Sequence, residues 1–268
     1  MSAEYSKKTL VSCLKELHLS TLRSCFESEA ELARKESIQY EHYLMLIAGI
    51  ECQARRERRT QRFLNESHLP LEKNLNTFDF ERLPRKTALQ ARALLDGAFL
   101  DRKENVLAFG NPGSGKTHLL CAISQELIMK GRRILFCSCS FLVQELMKAK
   151  SELKLERMLK KLSKYEALLL DDIGYVQQTR EEMEVLFTLL ACRYERASIM
   201  LTSNLPFSKW EGIFKDPMTT AAAIDRLVHH SVIIELNVKS YRLESAEKRK
   251  EAERKKETKK VNQPHTKR

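Results

Sequence analysis

Long apolar runs are missing from this chain. No stretch of its 268 residues approaches the roughly 18 uncharged apolar residues that cross a bilayer, so no membrane-spanning helix is expected. The opening Met1-Ser-Ala-Glu-Tyr5 lacks the apolar centre of a secretory signal. Cysteine is sparse, and its count is odd. Cys13, Cys25, Cys52, Cys121, Cys137, Cys139 and Cys192 argue against a disulfide framework, and the single C-x-C has no second pair at zinc spacing. Reduced thiols buried in a cytoplasmic protein are the expectation. No internal repeat is visible, which excludes a solenoid. Acidic residues are in deficit: 36 Asp and Glu face 47 Lys and Arg, a net charge of +11. Residues 239–268 alone hold 12 Lys and Arg against 5 Glu. Such a surplus suits a polyanion such as nucleic acid, or a solvated tail that aids solubility.

A hydrophobic content of 43% supports a sizeable core, and the length allows one large domain or two smaller ones. Within that core one stretch organises the rest. Gly110-Asn111-Pro112-Gly113-Ser114-Gly115-Lys116-Thr117 matches G-x-x-x-x-G-K-[ST], the loop that cradles phosphates. Gly110, Gly113 and Gly115 free the backbone to turn successive N–H groups inward, and Pro112 stiffens the loop. Lys116 brings a positive charge to the β- and γ-phosphates, and the Thr117 hydroxyl is placed for Mg²⁺. Asn105–Phe109 before the loop reads as a buried strand. His118–Met129 after it reads as a helix, whose N-terminus favours an anion.

Residues 1–66 read as helical, with stripes at Leu10, Leu14 and Leu17, then at Leu22, Phe26 and Leu32. Ser37 suits an N-cap for a third helix that runs to about Leu64. That helix carries Arg55, Arg56, Arg58, Arg59 and Arg62. Four of them, all but Arg56, share one face. They could pair with Glu51, Glu57 and Glu66, but they outnumber these acids, so contact with a phosphate backbone is also expected. Residues 67–85 form a linker in which Phe78 and Phe80 are placed either beside a nucleotide base or as core plugs. A helix over Lys86–Leu100 follows. From 105 onward strands at 105–109, 134–138, 167–171, 198–202 and 231–235 alternate with helical stretches, the pattern of a parallel sheet with crossover helices. One helix is expected from Ser140 through 164. Residues 244–268 read as a charged tail, a frayed helix grading into disorder.

A phosphate loop needs a metal partner. Leu168-Leu-Leu-Asp171-Asp172 is an apolar strand ending in two carboxylates, at the end where parallel strands carry function. Asp171 would hold Mg²⁺ and Asp172 would orient or deprotonate the attacking water. The strand ending Thr202-Ser203-Asn204 offers Asn204 to the γ-phosphate or the water. Arg226 and Arg242 are candidate cations for transition-state charge, Arg226 from an adjacent subunit and Arg242 in cis. A salt bridge within the chain, to Asp225 or another acid, is the plainer role for Arg226. His229 and His230 lack a metal-ligand pattern and read as structural.

Taken together, these segments resemble the IstB family, the AAA+ ATPase helpers of insertion-sequence transposases. The residues that carry the resemblance are the Arg-rich helix, Thr77-Phe-Asp-Phe80, G-N-P-G-S-G-K-T, L-L-L-D-D-I-G, L-T-S-N-L-P-F-S-K-W, A-I-D-R-L-V-H-H and S-Y-R-L. The resemblance covers roughly residues 8 to 245, and helicase loaders of the DnaC type share the same ATPase core. It implies an α/β AAA+ P-loop fold with a five-stranded parallel sheet in the order 5-1-4-3-2 over 86–243. It also implies ATP and Mg²⁺ as ligands, ATP-dependent homo-oligomers, sequence-tolerant binding of duplex DNA, and a cognate transposase as partner. Carried onto this chain, Asn204 is the first sensor, Arg226 the arginine finger and Arg242 the second sensor. Many AAA+ proteins carry Glu where this chain has Asp172, so slow hydrolysis, suited to a switch, is implied. A replicative helicase loader and a small-molecule P-loop kinase are the competing readings. A loader would favour a cysteine-rich metal module, and a kinase would need an arginine-rich lid.

Overall fold

In the computed structural model, residues 3–173, 179–210, 217–241 and 243–244 are described. The chain divides into two compact units, residues 1–63 and 64–268. No helix among the described residues is long and apolar enough to cross a membrane.

The first unit is helical, as expected: α1 (Ala3–Glu16), α2 (Ser20–Lys35) and α3 (Tyr40–Glu66), which runs past its end. Its buried core is thin: Leu14, Leu22 and Ile47, with Leu19, Phe26 and Tyr43 half-buried against them. Ser37 does not cap α3. It adopts a left-handed φ of 55°, and Ile38 N–H reaches back to Ala33 O at 2.9 Å. This is the closing turn of α2, which satisfies its last carbonyls. Polar atoms do much of the remaining work. The buried Glu51 carboxylate accepts from the N–H groups of Thr21 and Leu22, both at 2.8 Å, and so neutralises the N-terminus of α2. Arg55 donates to it at 2.9 Å and Arg58 at 3.4 Å. Burial works to raise the Glu51 pKa, but the Leu22 N–H, the Arg55 side chain and the Thr21 N–H outweigh it and hold it below its ordinary value.

The second unit is built on five parallel strands: β1 (Asn105–Gly110), β2 (Ile134–Ser138), β3 (Ala167–Asp171), β4 (Ser198–Ser203) and β5 (Ser231–Leu236). Their order is β2-β3-β4-β1-β5, the expected order read from the other edge. The central strands are continuous apolar runs because helices cover both faces of such a sheet. Those helices are α4 (Arg85–Ala93), α5 (Ala98–Asp101), α6 (Lys116–Met129), α7 (Cys139–Ser151), α8 (Leu155–Leu162), α9 (Arg180–Arg193) and α10 (Pro217–Val228). The main core packs Leu107, Leu168, Leu170 and Leu201 of the sheet against Leu142, Leu146, Leu186 and Leu190 of α7 and α9.

Two helices expected to be continuous are broken. Gly97, at φ 84°, ends a 3-10 turn over Leu94–Asp96 and separates α4 from α5. Leu153, at φ 56°, closes α7 through Lys154 N–H to Ala149 O at 2.7 Å, so α8 starts afresh. The cysteines also differ from expectation. All seven are free, but only Cys121 and Cys139 are buried, while Cys13, Cys52 and Cys192 are exposed. At the amino ends of the strands Asn105 ties three elements together. Its side chain donates to Leu227 O at 3.0 Å and accepts from Ile199 N–H at 2.8 Å.

Candidate nucleotide site

The carboxyl ends of β1, β3 and β4 meet around the loop 110–117. Parallel pairing sets Phe109 beside Ser203 and Leu170 beside Leu201, so the two Asp residues and Asn204 leave the sheet at one level. There Lys116 Nζ donates to Gly110 O at 2.8 Å, Asn111 O at 2.9 Å and Asn204 Oδ1 at 2.6 Å. Asn204 Nδ2 in turn donates to Asp172 Oδ1 at 3.1 Å. Thr117 Oγ1 donates to Asp171 Oδ1 at 2.6 Å. These bonds form two sets, Lys116–Asn204–Asp172 and Thr117–Asp171.

Thr202 is the piece that residue patterns did not single out. Buried on β4, it donates from Oγ1 to Asp171 Oδ1 at 2.7 Å and accepts from Asp172 N–H at 2.8 Å. Its carbonyl accepts from Ile173 N–H at 3.0 Å. Those three bonds hold Asp172 at a left-handed φ of 62°, a backbone shape that an Asp tolerates better than most residues. Burial raises the Asp172 pKa first and the Asp171 charge raises it further, against Lys116. A carboxyl displaced upward in a cleft is a candidate proton acceptor. Below it, Phe109, Phe207 and the fully buried Trp210 pack edge to face, and Trp210 Nε1 donates to Leu205 O at 3.1 Å. The apolar part of L-P-F-S-K-W therefore supports the turn that presents Asn204.

A cleft of about 350 Å³ opens above this network. Pro112 through His118, Asp171, Asp172, Thr202 and Asn204 line it, together with an apolar wall of Phe78, Leu83, Val238 and Tyr241. Gly110 and Asn111 contribute carbonyls to Lys116 but are not in that lining. Phe78 and Phe80 are both half-buried, so neither is a core plug. Phe78 meets Phe80 at 4.9 Å and His118 at 5.3 Å between ring centroids. His118 Nε2 lies 3.0 Å from Thr77 Oγ1 and 3.2 Å from Asn74 O, which fixes the short turn carrying Phe78. Burial lowers its pKa. Arg82, also in the lining, packs over the Tyr241 ring at 5.1 Å and bonds Glu244 at 2.9 Å. Tyr241 N–H donates to Gly113 O at 3.0 Å, and a side chain at Gly113 would strike Ser240. The chain after β5 therefore closes over the loop.

The residues fit a magnesium nucleotide. Ser114 Oγ is buried in the loop without a hydrogen-bond partner, a polar atom suited to an incoming acceptor. The lysine charge sits in the bowl of the loop, and the Thr117–Asp171 pair offers the hard oxygen donors that Mg²⁺ takes. Arg226 is placed differently. It donates to Ala222 O at 2.8 Å, stacks over Phe187 at 4.7 Å, and does not line the cleft. Among the described residues no salt bridge links it to Asp225. Arg242 lies outside the described residues. Arg55 and Arg58 are engaged with Glu51, and Arg58 also reaches Ser20 and Thr21 at 2.8 and 2.9 Å. Arg56 and Arg59 are exposed, and Arg62 packs over Phe63.

Comparison with known proteins agrees with this geometry. The family of IstB-like ATP binding proteins matches residues 12–250. An insertion sequence ATP-binding protein of Sinorhizobium fredii is 44% identical over 87% of this chain and 78% of its own length. The IS21 insertion sequence ATP-binding protein of Pseudomonas aeruginosa is 42% identical over 91% and 90%. Among solved structures, the DnaC helicase loader superposes with a TM-score of 0.52 at 19% identity, covering 66% of this chain and 99% of that one. An AMPPCP-bound DnaA of Aquifex aeolicus gives a TM-score of 0.52 at 19% identity, covering 64% and 52%. These last two likenesses concern the fold alone. With a phosphate loop, paired strand-end acids and a match over most of its length, this chain belongs to the IstB-like ATP-binding family.

Proposed function

We propose that the chain is an ATP-hydrolysing switch that assembles on duplex DNA and directs a transposase. The observation that carries this reading is the hydrogen-bonded network that links Lys116, Asn204, Asp172, Asp171 and Thr117 at the strand ends, joined through Thr202. Every member is a group that phosphoryl transfer requires: a phosphate-binding cation, a metal-holding hydroxyl and carboxylate, a water-orienting acid and a sensor. Lys116 exchanges its loop carbonyls and Asn204 for the β- and γ-phosphate oxygens. Asn204, released from Lys116, turns toward the γ-phosphate while keeping Asp172. Asp172 accepts a proton from the attacking water. Thr117 and Asp171 would hold Mg²⁺, which would supply neutralisation of charge on the phosphates.

Arg226 acts from a neighbouring copy, because it faces Phe187 and its own helix rather than the cleft of its own chain. ATP then sits between subunits and favours assembly by mass action, and hydrolysis releases it. Residues 1–66 form the DNA-binding and assembly region, 67–85 the linker, 86–243 the ATPase region, and 244–268 a charged tail. Within the first, Arg56, Arg59 and Arg62 carry most of the phosphate contact, with Arg55 and Arg58 divided between DNA and Glu51. Arg242 serves as a cation in cis. The family's insertion-sequence relatives make a transposase the expected partner.

Steady-state turnover of the full-length protein on duplex DNA tests the reading. Asp172→Asn should retain ATP affinity and lose nearly all turnover; unchanged turnover would remove Asp172 from the chemistry. Changing Arg56, Arg59 and Arg62 to Ala should weaken duplex binding and reduce its salt slope by two to three contacts, about 0.9 each. An unaltered slope takes that helix off the DNA path.

A further inference from the structure

At the opposite end of the sheet from the nucleotide cleft, two turns approach each other. One joins α9 to β4 and holds Tyr194 and Glu195. The other joins α10 to β5 and holds His229 and His230. One donor atom each from Glu195, His229 and His230 lies within 4.8 Å of the others, and all three residues are exposed. Among the described residues this is the one such group of three. We propose that these three side chains bind a borderline divalent metal ion of the zinc, cobalt or nickel class.

Three observations converge on that assignment. The first is a separation. His230 Nε2 and Glu195 Oε1 are 3.8 Å apart. That is too long for a hydrogen bond, but close to the roughly 3.3 Å between two ligands that share a tetrahedral ion at about 2.0 Å. The second is the pairing of imidazoles. The rings of His229 and His230 have centroids 4.0 Å apart. Two imidazoles this close can each present a ring nitrogen to one ion. The third is support from outside the donors. Tyr194 Oη lies 2.9 Å from His229 Nδ1, and the backbone N–H of His229 donates to Asp225 O at 2.9 Å, which fixes the main chain but not the ring. Ligand histidines are usually oriented in this way by a partner on the second ring nitrogen. Two imidazoles and one carboxylate select zinc-like ions over Mg²⁺ or Ca²⁺, which take all-oxygen sets. Three protein ligands leave a fourth position for water. Exposure allows entry and avoids burying charge. The ion would cross-link two turns that the sheet brings together, one helical turn beyond Arg226, without touching the nucleotide cleft.

Cobalt(II) titration of the nucleotide-free, full-length protein, in excess Mg²⁺ to fill the phosphate site, tests the proposal. One equivalent should bind with the visible absorption of a low-coordinate cobalt site, and zinc should displace it. His230→Gln and Glu195→Gln should each weaken binding at least tenfold, and Tyr194→Phe by less. Cys192→Ser, at a nearby exposed thiol, should leave it unchanged. Melting curves without metal should match for the His230, Glu195 and Cys192 variants, since these side chains are exposed. Absence of a stoichiometric site overturns the proposal. So does equal affinity in the histidine and glutamate variants, or loss of binding in Cys192→Ser.

Discussion

The two units of this chain are stabilised in different ways. The sheet-bearing unit buries a continuous apolar sheet, with Val106, Leu107, Leu168, Leu169, Met200 and Leu201 fully inaccessible, and sets its polar groups on the strand tips. The helical unit buries three apolar residues among those described and leaves Leu17, Tyr40, Leu44 and Met45 at 60 to 90% exposure. Its organising contact is a buried carboxylate, Glu51, between a helix N-terminus and two arginines. In one unit polar groups serve chemistry on a frame that apolar burial has already fixed. In the other, polar groups are part of the frame, and the exposed apolar side chains are surface available to partners.

That difference can be broken or sharpened by mutation. The largest effect is expected on chemistry alone. Arg226→Ala should lower turnover about 10³-fold, as loss of an arginine finger does, with ATP affinity retained. Unchanged turnover would favour a site complete within one chain. Next come the cores. Leu107→Ala should cost about 3–5 kcal/mol, and Leu14→Ala about 2, since the thin helical core can collapse around the smaller side chain; calorimetry of the full chain reads both. A larger loss at Leu14 would contradict the contrast. Glu51→Gln should destabilise the helical unit by about 1–2 kcal/mol through loss of its helix-terminus role, while ATP affinity stays the same. The smallest effect concerns pH. Burial depresses the His118 pKa in the folded state, so the unfolded chain takes up the proton first as pH falls. Stability is then full above the ordinary histidine value of about 6.5 and declines below it. His118→Gln should flatten the melting temperature between about pH 7 and pH 5; an identical slope would mean the ring is not held neutral.

Much of the sheet-bearing unit was legible in sequence because its signals are local. Each strand began within the expected apolar run, and the phosphate loop and Leu168–Asp172 are contiguous stretches that meet at one cleft. The misplaced features depend on backbone turns that several residue types can make: Ser37 closes one helix rather than opening the next, and Leu153 in the left-handed region splits α7 from α8. Thr202, Arg82 and Tyr241 were not singled out because their roles arise from partners far away in sequence, such as Arg82 with Glu244. The same applies to Arg55 and Arg58. Their spacing describes a basic face, and only the fold reveals Glu51 beneath it. His229 and His230 form no ligand pattern by spacing, since Glu195 reaches them through the packing of α9 beside α10.

The central claim is that ATP held by the strand-tip network drives assembly on DNA. Sedimentation velocity of the full-length protein with duplex DNA, in ATP, in ADP and with Lys116→Ala, tests it most directly. Large complexes should form with the wild-type chain in ATP and dissolve in ADP or with Lys116→Ala. Complexes of equal size in all three conditions, or none in any, would contradict the account.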